Sequence, residues 1–347
     1  MKGITLEKPG APWVLVDDLP VPEPGDSQIL VKSIVTAINP IDGVQAATGL
    51  LVEGWPFTPG CDAGGIVVKA GKNAVSALGS PFKEGDRICG ATRLGTKGHS
   101  PFQEYFLMDA QVTIPVPSNL SYEHAACVGV AVETAGLGVF SGLHVPIFDP
   151  KNLPAPNGEW ALVLGGASSV GKMALQLLKK AGYKVIVTCS SGSAELLKSL
   201  GAEATVDYKK PKSEVISEIL SITGNSVARV FDAVSQHVQF AADLLKGVEK
   251  SPRYFTSTNG RDPIPDDAPY EGGPILLGPV GRPEGTETNG RIEAFIPLVY
   301  KLLEAGELIP SEYIVGGTGF ESIVDAYQLQ SSGKGGNKKV IVKLQDP

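Results

Sequence analysis

The chain has 347 residues and a mass of 36.2 kDa, enough for about two domains at roughly 150 residues each. Apolar residues make up 42% and mean hydropathy is +0.07, so a packed core is expected even though 42 glycines and 27 prolines make the chain rich in turns. The net charge of −7 and the pI of about 5.3 repel polyanions, which excludes nucleic acid and anionic membrane as expected partners.

The first residues, Met1 to Lys8, carry no apolar signal segment, and no run of about 18 apolar residues is read, so no membrane span is expected. The C-terminal Leu344 to Pro347 carry no peroxisomal or prenylation signal. Four scattered cysteines, at 61, 89, 127 and 189, are not a disulfide framework, and a cytoplasmic location is the expectation. The lysine pairs 179–180, 209–210 and 338–339 read as solvated faces.

Residues 1 to about 125 read as short strands, among them Ile29–Val35, Gly65–Val68 and Gly85–Ile88, punctuated by glycine and proline as in a small β-rich barrel. A helix is expected over Ser121 to Phe140, then a proline-rich surface loop, Val145 to Asn157. From Glu159 the pattern alternates. Strands are expected at Trp160–Leu164, Lys184–Thr188, Ala204–Val206, Ala228–Val234 and Tyr254–Thr256. Helices are expected at Val170–Ala181, Glu195–Leu200, Ser213–Ile222 and His237–Gly247. This alternation is the signature of a doubly wound parallel sheet. A Gly/Pro-rich loop, about 262–289, follows and encloses a strand near Ile275–Leu277; then come a helix at Ile292–Leu303 and a last strand at Lys339–Val342.

The strand at 160–164 runs into Gly165-Gly166-Ala167-Ser168-Ser169-Val170-Gly171. A strand, a glycine-rich turn and a helix start are the context that dinucleotide binding needs: a tight turn, backbone N–H groups close to a pyrophosphate, and a helix N-terminus aimed at it. Ser168 and Ser169 add hydroxyl donors, and Gly171 allows close helix–strand packing. About 20 residues on, where NAD sites place an acid, the chain reads Thr188-Cys189-Ser190-Ser191-Gly192-Ser193. Without a carboxylate to repel a 2′-phosphate, and with three serines to donate to it, NADPH is favoured over NADH; the alternative is that the serines only start the next helix. No C-x-x-C pair exists, and the histidines at 99, 124, 144 and 237 lie in unlike contexts. Gly60-Cys61-Asp62 is the one suggestive metal cluster, and Cys61 reads instead as a small buried residue.

With these residues in view, the chain resembles the zinc-independent, quinone-oxidoreductase-like branch of the medium-chain dehydrogenase/reductases, nearly end to end. Asn39-Pro40-Ile41-Asp42 looks like that branch's Asn-Pro-x-Asp; zinc members carry Cys at the position of Asn39 and His at that of Cys61, and the third ligand position is Val130. Thr134-Ala135-Gly136-Leu137, the proline-rich connector before Gly158-Glu159-Trp160, and Thr188-Cys189-Ser190 look most like the fungal trans-acting enoyl reductases of secondary metabolism. Val44 stands where many of these carry Lys.

The resemblance implies an α/β fold: a GroES-like β-rich catalytic domain, residues 1–130 and 288–347, with a Rossmann doubly wound sheet, 131–287, inserted and the active site in the interdomain cleft. It places Asn39, Pro40, Ile41 and Asp42 beside the nicotinamide end of the cofactor and counts Leu277 and Gly278 among the cofactor-binding residues at the edge of the substrate pocket. Ala167, Ser168, Ser169, Val170 and Gly171 hold the pyrophosphate; Ser190, Ser191, Ser193 and Tyr208 hold the adenosine phosphate end. Val130, Ala131, Val132, Glu133, Ala135, Gly136, Leu137 and Gly138, with Pro279, Val280 and Gly281, line the substrate pocket.

The expected chemistry is hydride transfer without metal from NADPH to the C=C bond of an α,β-unsaturated carbonyl. Thr134 is the candidate to position the carbonyl; the alternative is a helix hydroxyl bonded to backbone. Quinone or aldehyde reduction and a non-catalytic NADPH-binding role stay open. The expected partners are a small enone, enoyl, quinone or aldehyde substrate and a polyketide synthase served in trans. Monomer and homodimer both remain open.

Overall fold

A computed structural model describes residues 1–258, 260 and 262–347, which divide into two units, Met1–Glu133 with Leu277–Pro347, and Thr134–Leu276.

The first unit is built on the strand Gln28–Ala37, whose apolar residues leave it buried along most of its length. It pairs along its length with Asp62–Ala70, through register shifts at Leu30/Val31 and Ser33/Val35. Its other edge takes Tyr105–Asp109 at its start and Lys339–Lys343 at its end. Such bulges bend a strand, so one strand can serve two partners in a curled sheet. Gly65 is needed here, because a Cβ would lie 2.4 Å from the Lys32 carbonyl oxygen of the paired strand. Arg87–Ala91, Ile114–Pro115 and Tyr313–Thr318 complete the seven-stranded sheet. Tyr313–Thr318 and the helix Ile323–Ser331 have no counterpart in the sequence reading.

The second unit holds six parallel strands in the order Ala204–Asp207, Lys184–Cys189, Trp160–Leu164, Arg229–Asp232, Tyr254–Ser257, Glu271–Pro274. This is the doubly wound order, in which chain direction across the sheet reverses beside the first strand. The helices Ser169–Lys180, Ala194–Ser199, Lys212–Thr223 and Val238–Lys246 alternate with the strands as expected.

Three readings need correction. The sixth strand is Glu271–Pro274 and not Ile275–Leu277: a Cβ on Gly272 would lie 2.1 Å from the Phe255 carbonyl oxygen, so this sheet edge selects glycine over apolar bulk. The helix expected from Ile292 starts at Thr286 and runs to Glu304 with Pro297 inside it. The helix expected over Ser121–Phe140 is three pieces: Tyr122–Ala125, Gly129–Gly136, and a π-helical segment, Leu137–Gly142. Tyr122–Gly142 is long and apolar enough to cross a membrane by length and composition, and 83% of its most apolar window is buried inside the protein, as in a core helix.

The π segment widens the helix where space is tight. A Cβ on Gly138 would lie 2.9 Å from the ring of Phe231, which is wholly buried in the central strand. Removing that ring leaves a cavity that the flanking strands cannot close, so Phe231→Ala should cost about 3–5 kcal/mol, read as a lower urea midpoint at unchanged slope.

Candidate functional site

In the second unit the first strand ends in a turn that only glycine can make. Gly165 has φ +75°, and a Cβ there would lie 2.3 Å from a methyl of Val234. A Cβ on Gly171 would lie 2.3 Å from the Gly165 carbonyl oxygen, so this helix sits against the turn backbone to backbone. Thr188, on the neighbouring strand, fixes the turn: its hydroxyl accepts the Gly165 N–H at 3.0 Å and its carbonyl accepts the Gly166 N–H at 2.9 Å. Ser168 caps the helix Ser169–Lys180 by accepting the Gly171 N–H at 2.9 Å. The first turn of the helix still presents N–H groups with no acceptor in the preceding turn. Ala167, Ser168, Ser169 and Val170 are all part-exposed around them.

Ser190 follows the adjacent strand, with its Oγ 3.5 Å from Ser193 Oγ; Ser191 is exposed. Because Cys189 and Asp207 are register partners, Tyr208 emerges beside Ser190, and its N–H reaches the Cys189 carbonyl at 3.3 Å. The Tyr208 phenol is 54% exposed. On the other side of the first strand, Asp232 holds the following loop by accepting the N–H groups of Val234, Gln236 and His237 at 2.9–3.1 Å. A dinucleotide fits this arrangement: a backbone cradle that side chains would fill, at the point where strand order reverses. Thr134, Ala135, Leu137 and Gly138 are buried in this unit.

In the first unit, Ile41, Val130 and Leu277, three residues singled out from sequence, meet in one apolar cluster with Cys61, Ala91 and Leu94. Each of three buried acids bonds to a member of that cluster. Asp42 Oδ1 accepts the Cys61 thiol at 3.3 Å, Asp62 Oδ1 accepts the Val130 N–H at 3.0 Å, and Glu133 Oε1 accepts the Ala91 N–H at 2.8 Å. Asn39 caps the helix Pro40–Thr48, with its own N–H donated to Asp42 at 2.7 Å. Its side chain is spent internally: Nδ2 donates to Ala37 O and Asp62 Oδ2, and Oδ1 accepts Lys339 Nζ at 2.5 Å. Lys339 also pairs with Asp62 at 2.9 Å.

Lys339 is therefore buried, not solvated as the 338–339 pair suggested. Strand alternation places it on the face of the fully buried Ile341, the signal that could have found it. Ala131, Val132 and Glu133 are buried in the helix, and Val280 and Gly281 in their loop, where the Gly281 N–H is held by Asn289 at 2.8 Å; Pro279 and Gly278 are part-exposed.

Burial pushes the Asp42 carboxyl from 3.8 up to about 7, against the lowering effect of the Asn39 N–H, Cys61 and Lys339. Burial also lifts Glu133 and the Cys61 thiol well above their usual ranges. For Lys339 the burial penalty is outweighed by Asp62, so its pKa lies above the usual lysine value. A zinc ion does not fit these residues. The Asn39 amide is fully engaged, the Cys61 thiol is held protonated against Asp42, and Val130 offers no donor. Among the described residues no group of three or more His, Cys, Asp or Glu is placed to hold a metal.

Residues 25–118 match the alcohol dehydrogenase GroES-like domain and residues 169–246 the zinc-binding dehydrogenase model. The chain is 30% identical to dehydrogenase pigH of Monascus ruber over 372 residues, spanning 96% of each chain. It is 29% identical to trans-enoyl reductase phm4 of Pyrenochaetopsis sp over 358 residues, covering 96% of this chain and 93% of that one. The structure of mycobacterial Rv1454c complexed with NADPH shares its fold, with a TM-score of 0.74 at 22% identity over 99% of this chain and all of that one. The chain belongs to the medium-chain dehydrogenase/reductases, in the branch that holds the fungal trans-enoyl reductases. It is an oxidoreductase of a family that binds a nicotinamide cofactor.

Two outcomes are expected. In Gly171→Ala the added methyl meets the backbone of Gly165 and Gly166, so affinity for a nicotinamide dinucleotide in a fluorescence titration should fall about tenfold or more. Asp42 holds a proton in the folded chain between its ordinary value of 3.8 and about 7, where the unfolded chain has lost it. Its contribution to stability should therefore fall as pH rises through that window and level off above it. Urea unfolding from pH 4 to 8 should show a smaller loss with rising pH in Asp42→Asn than in wild type.

Proposed function

We propose that the protein is an NADPH-dependent, zinc-independent reductase of the C=C bond conjugated to a carbonyl. The observation that carries this reading is the backbone cradle at Gly165–Gly171, in a chain similar end to end to a trans-enoyl reductase. When bound, the nicotinamide supplies the hydride. Ser168, Ser169 and Val170 hold the pyrophosphate at the helix start. Ser190, Ser191, Ser193 and Tyr208, with no acid among them, receive a 2′-phosphate without repulsion.

The cluster of Ile41, Cys61, Ala91, Leu94, Val130 and Leu277 is the apolar wall of the substrate site, and Thr134 orients the carbonyl oxygen. Asn39 contributes by fixing the helix Pro40–Thr48, since its side chain is already committed. Leu277 and Gly278 complete the nicotinamide end. The substrate class is an enone or enoyl thioester, the latter delivered by a polyketide synthase, in the cytoplasm.

The test is purified protein with NADPH or NADH and a panel of enoyl thioesters, enones, quinones and aldehydes, with products identified by mass spectrometry. The expected result is saturation of the C=C bond and a preference of about tenfold or more for NADPH, the size of one good charged contact. Turnover confined to quinones or aldehydes, or none at all, refutes the ene-reductase assignment. Equal use of NADH refutes the serine argument.

A further inference from the structure

One ammonium ties together three separate chain segments in the first unit. Lys339 Nζ donates to Asn39 Oδ1 at 2.5 Å and to Asp62 Oδ2 at 2.9 Å. Asn39 caps the helix that carries Ile41; Asp62 follows Cys61; and the other oxygen of Asp62 takes the Val130 N–H at 3.0 Å. Ile41, Cys61 and Val130 are three of the six residues of the apolar cluster. A charge on a strand near the C-terminus thus sets the positions of three side chains that lie far from it in sequence.

The pair is almost dry: the side chains of Lys339 and Asp62 are 7% and 0% exposed. A buried ion pair gives little net stability over apolar replacements of similar shape, but losing one partner is costly. Its use must therefore be sought in what it orients. Asp62 accepts from Lys339, from Asn39 Nδ2 at 3.2 Å and from Val130, so both carboxylate oxygens are directed. With Asn39 Oδ1 held by Lys339, the Asn39 amide has one orientation.

We propose that Lys339 is a positioning residue of the substrate wall, an internal cation that supplies from a side chain the fixed positive charge that Asn39, Cys61 and Val130 cannot supply by holding a metal. The inference rests on the apolar cluster being the substrate wall. It is at odds with the zinc-binding description of the matching family model and assigns the cluster an organic cation in its place.

The test compares wild type, Lys339→Met and the double variant Asp62→Asn/Lys339→Met. Lys339→Met alone strands the Asp62 charge and should unfold at markedly lower urea, or fail to fold. The double variant removes both charges and should regain a urea midpoint close to wild type, so that structure and positioning separate. In it, kcat on the best enone should stay at least about tenfold low, a loss of about 1.4 kcal/mol, with NADPH affinity changed by less than kcat because the residues proposed to hold its phosphates are in the other unit. Amide exchange in Pro40–Thr48 and at Val130 should be faster, and exchange in the parallel sheet unchanged.

A double variant with wild-type kcat and wild-type exchange at 40–48 overturns the proposal. So does one zinc per chain in the purified protein, by native mass spectrometry, that a chelator removes. If wild type turns over no substrate, the reading of function fails; the exchange and metal measurements still decide whether Lys339 orders this wall.

Discussion

A charge taken out of water must find a partner, and the buried pair of Lys339 and Asp62 shows how much structure that requirement can organise. The ammonium has two acceptors and the carboxylate three donors. Meeting those bonds brings together the last strand, the cap of the helix Pro40–Thr48, the strand from Asp62 and the start of the helix Gly129–Gly136. Two further buried acids of the first unit follow from the same constraint. Among the described residues Asp42 and Glu133 form no ion pair, and burial, only partly offset at Asp42 by Lys339, holds both in the direction of their neutral forms.

The second unit depends on a different constraint, the distance between backbones. Its cradle exists because Gly165, Gly166 and Gly171 carry no side chains where neighbouring atoms leave no room. Thr188 and Asp232, on the two strands flanking the first, then fix the turn and the opposite loop with hydrogen bonds. The result is a tight glycine turn leading into a helix N-terminus, the arrangement that favours an anion such as a pyrophosphate.

What was legible in the sequence tracks how local the cause is. The glycine turn and the alternation of strand and helix act within a few residues, and both are found where the spacing implied; the Ser168 cap has no counterpart in the sequence reading. Strand register also brings Tyr208 beside Ser190, so two residues grouped in the sequence reading adjoin in the fold. The failures have non-local causes. Glu271–Pro274 has no strand composition; it is a strand because the backbone of Tyr254–Ser257 lies beside it. Leu137–Gly142 departs from the α-helix where it meets Phe231 and Thr256, which are more than ninety residues away. Lys339 looked like half of a solvated pair because its partner Asn39 is 300 residues distant.

By itself, then, the sequence determined the alternation of strands and helices in the second unit, the glycine turn after its first strand and the absence of an acid at the end of the second strand. These follow from covalent neighbours and from the freedom of glycine, which short spacing encodes. Tertiary structure alone decided which acids are buried and which lysine answers them. It also decided which predicted site residues touch one another, drawing Ile41, Val130 and Leu277 into one cluster while committing Asn39 to internal bonds. Burial and pairing are properties of what lies across the fold, and a chain read in one dimension does not contain them.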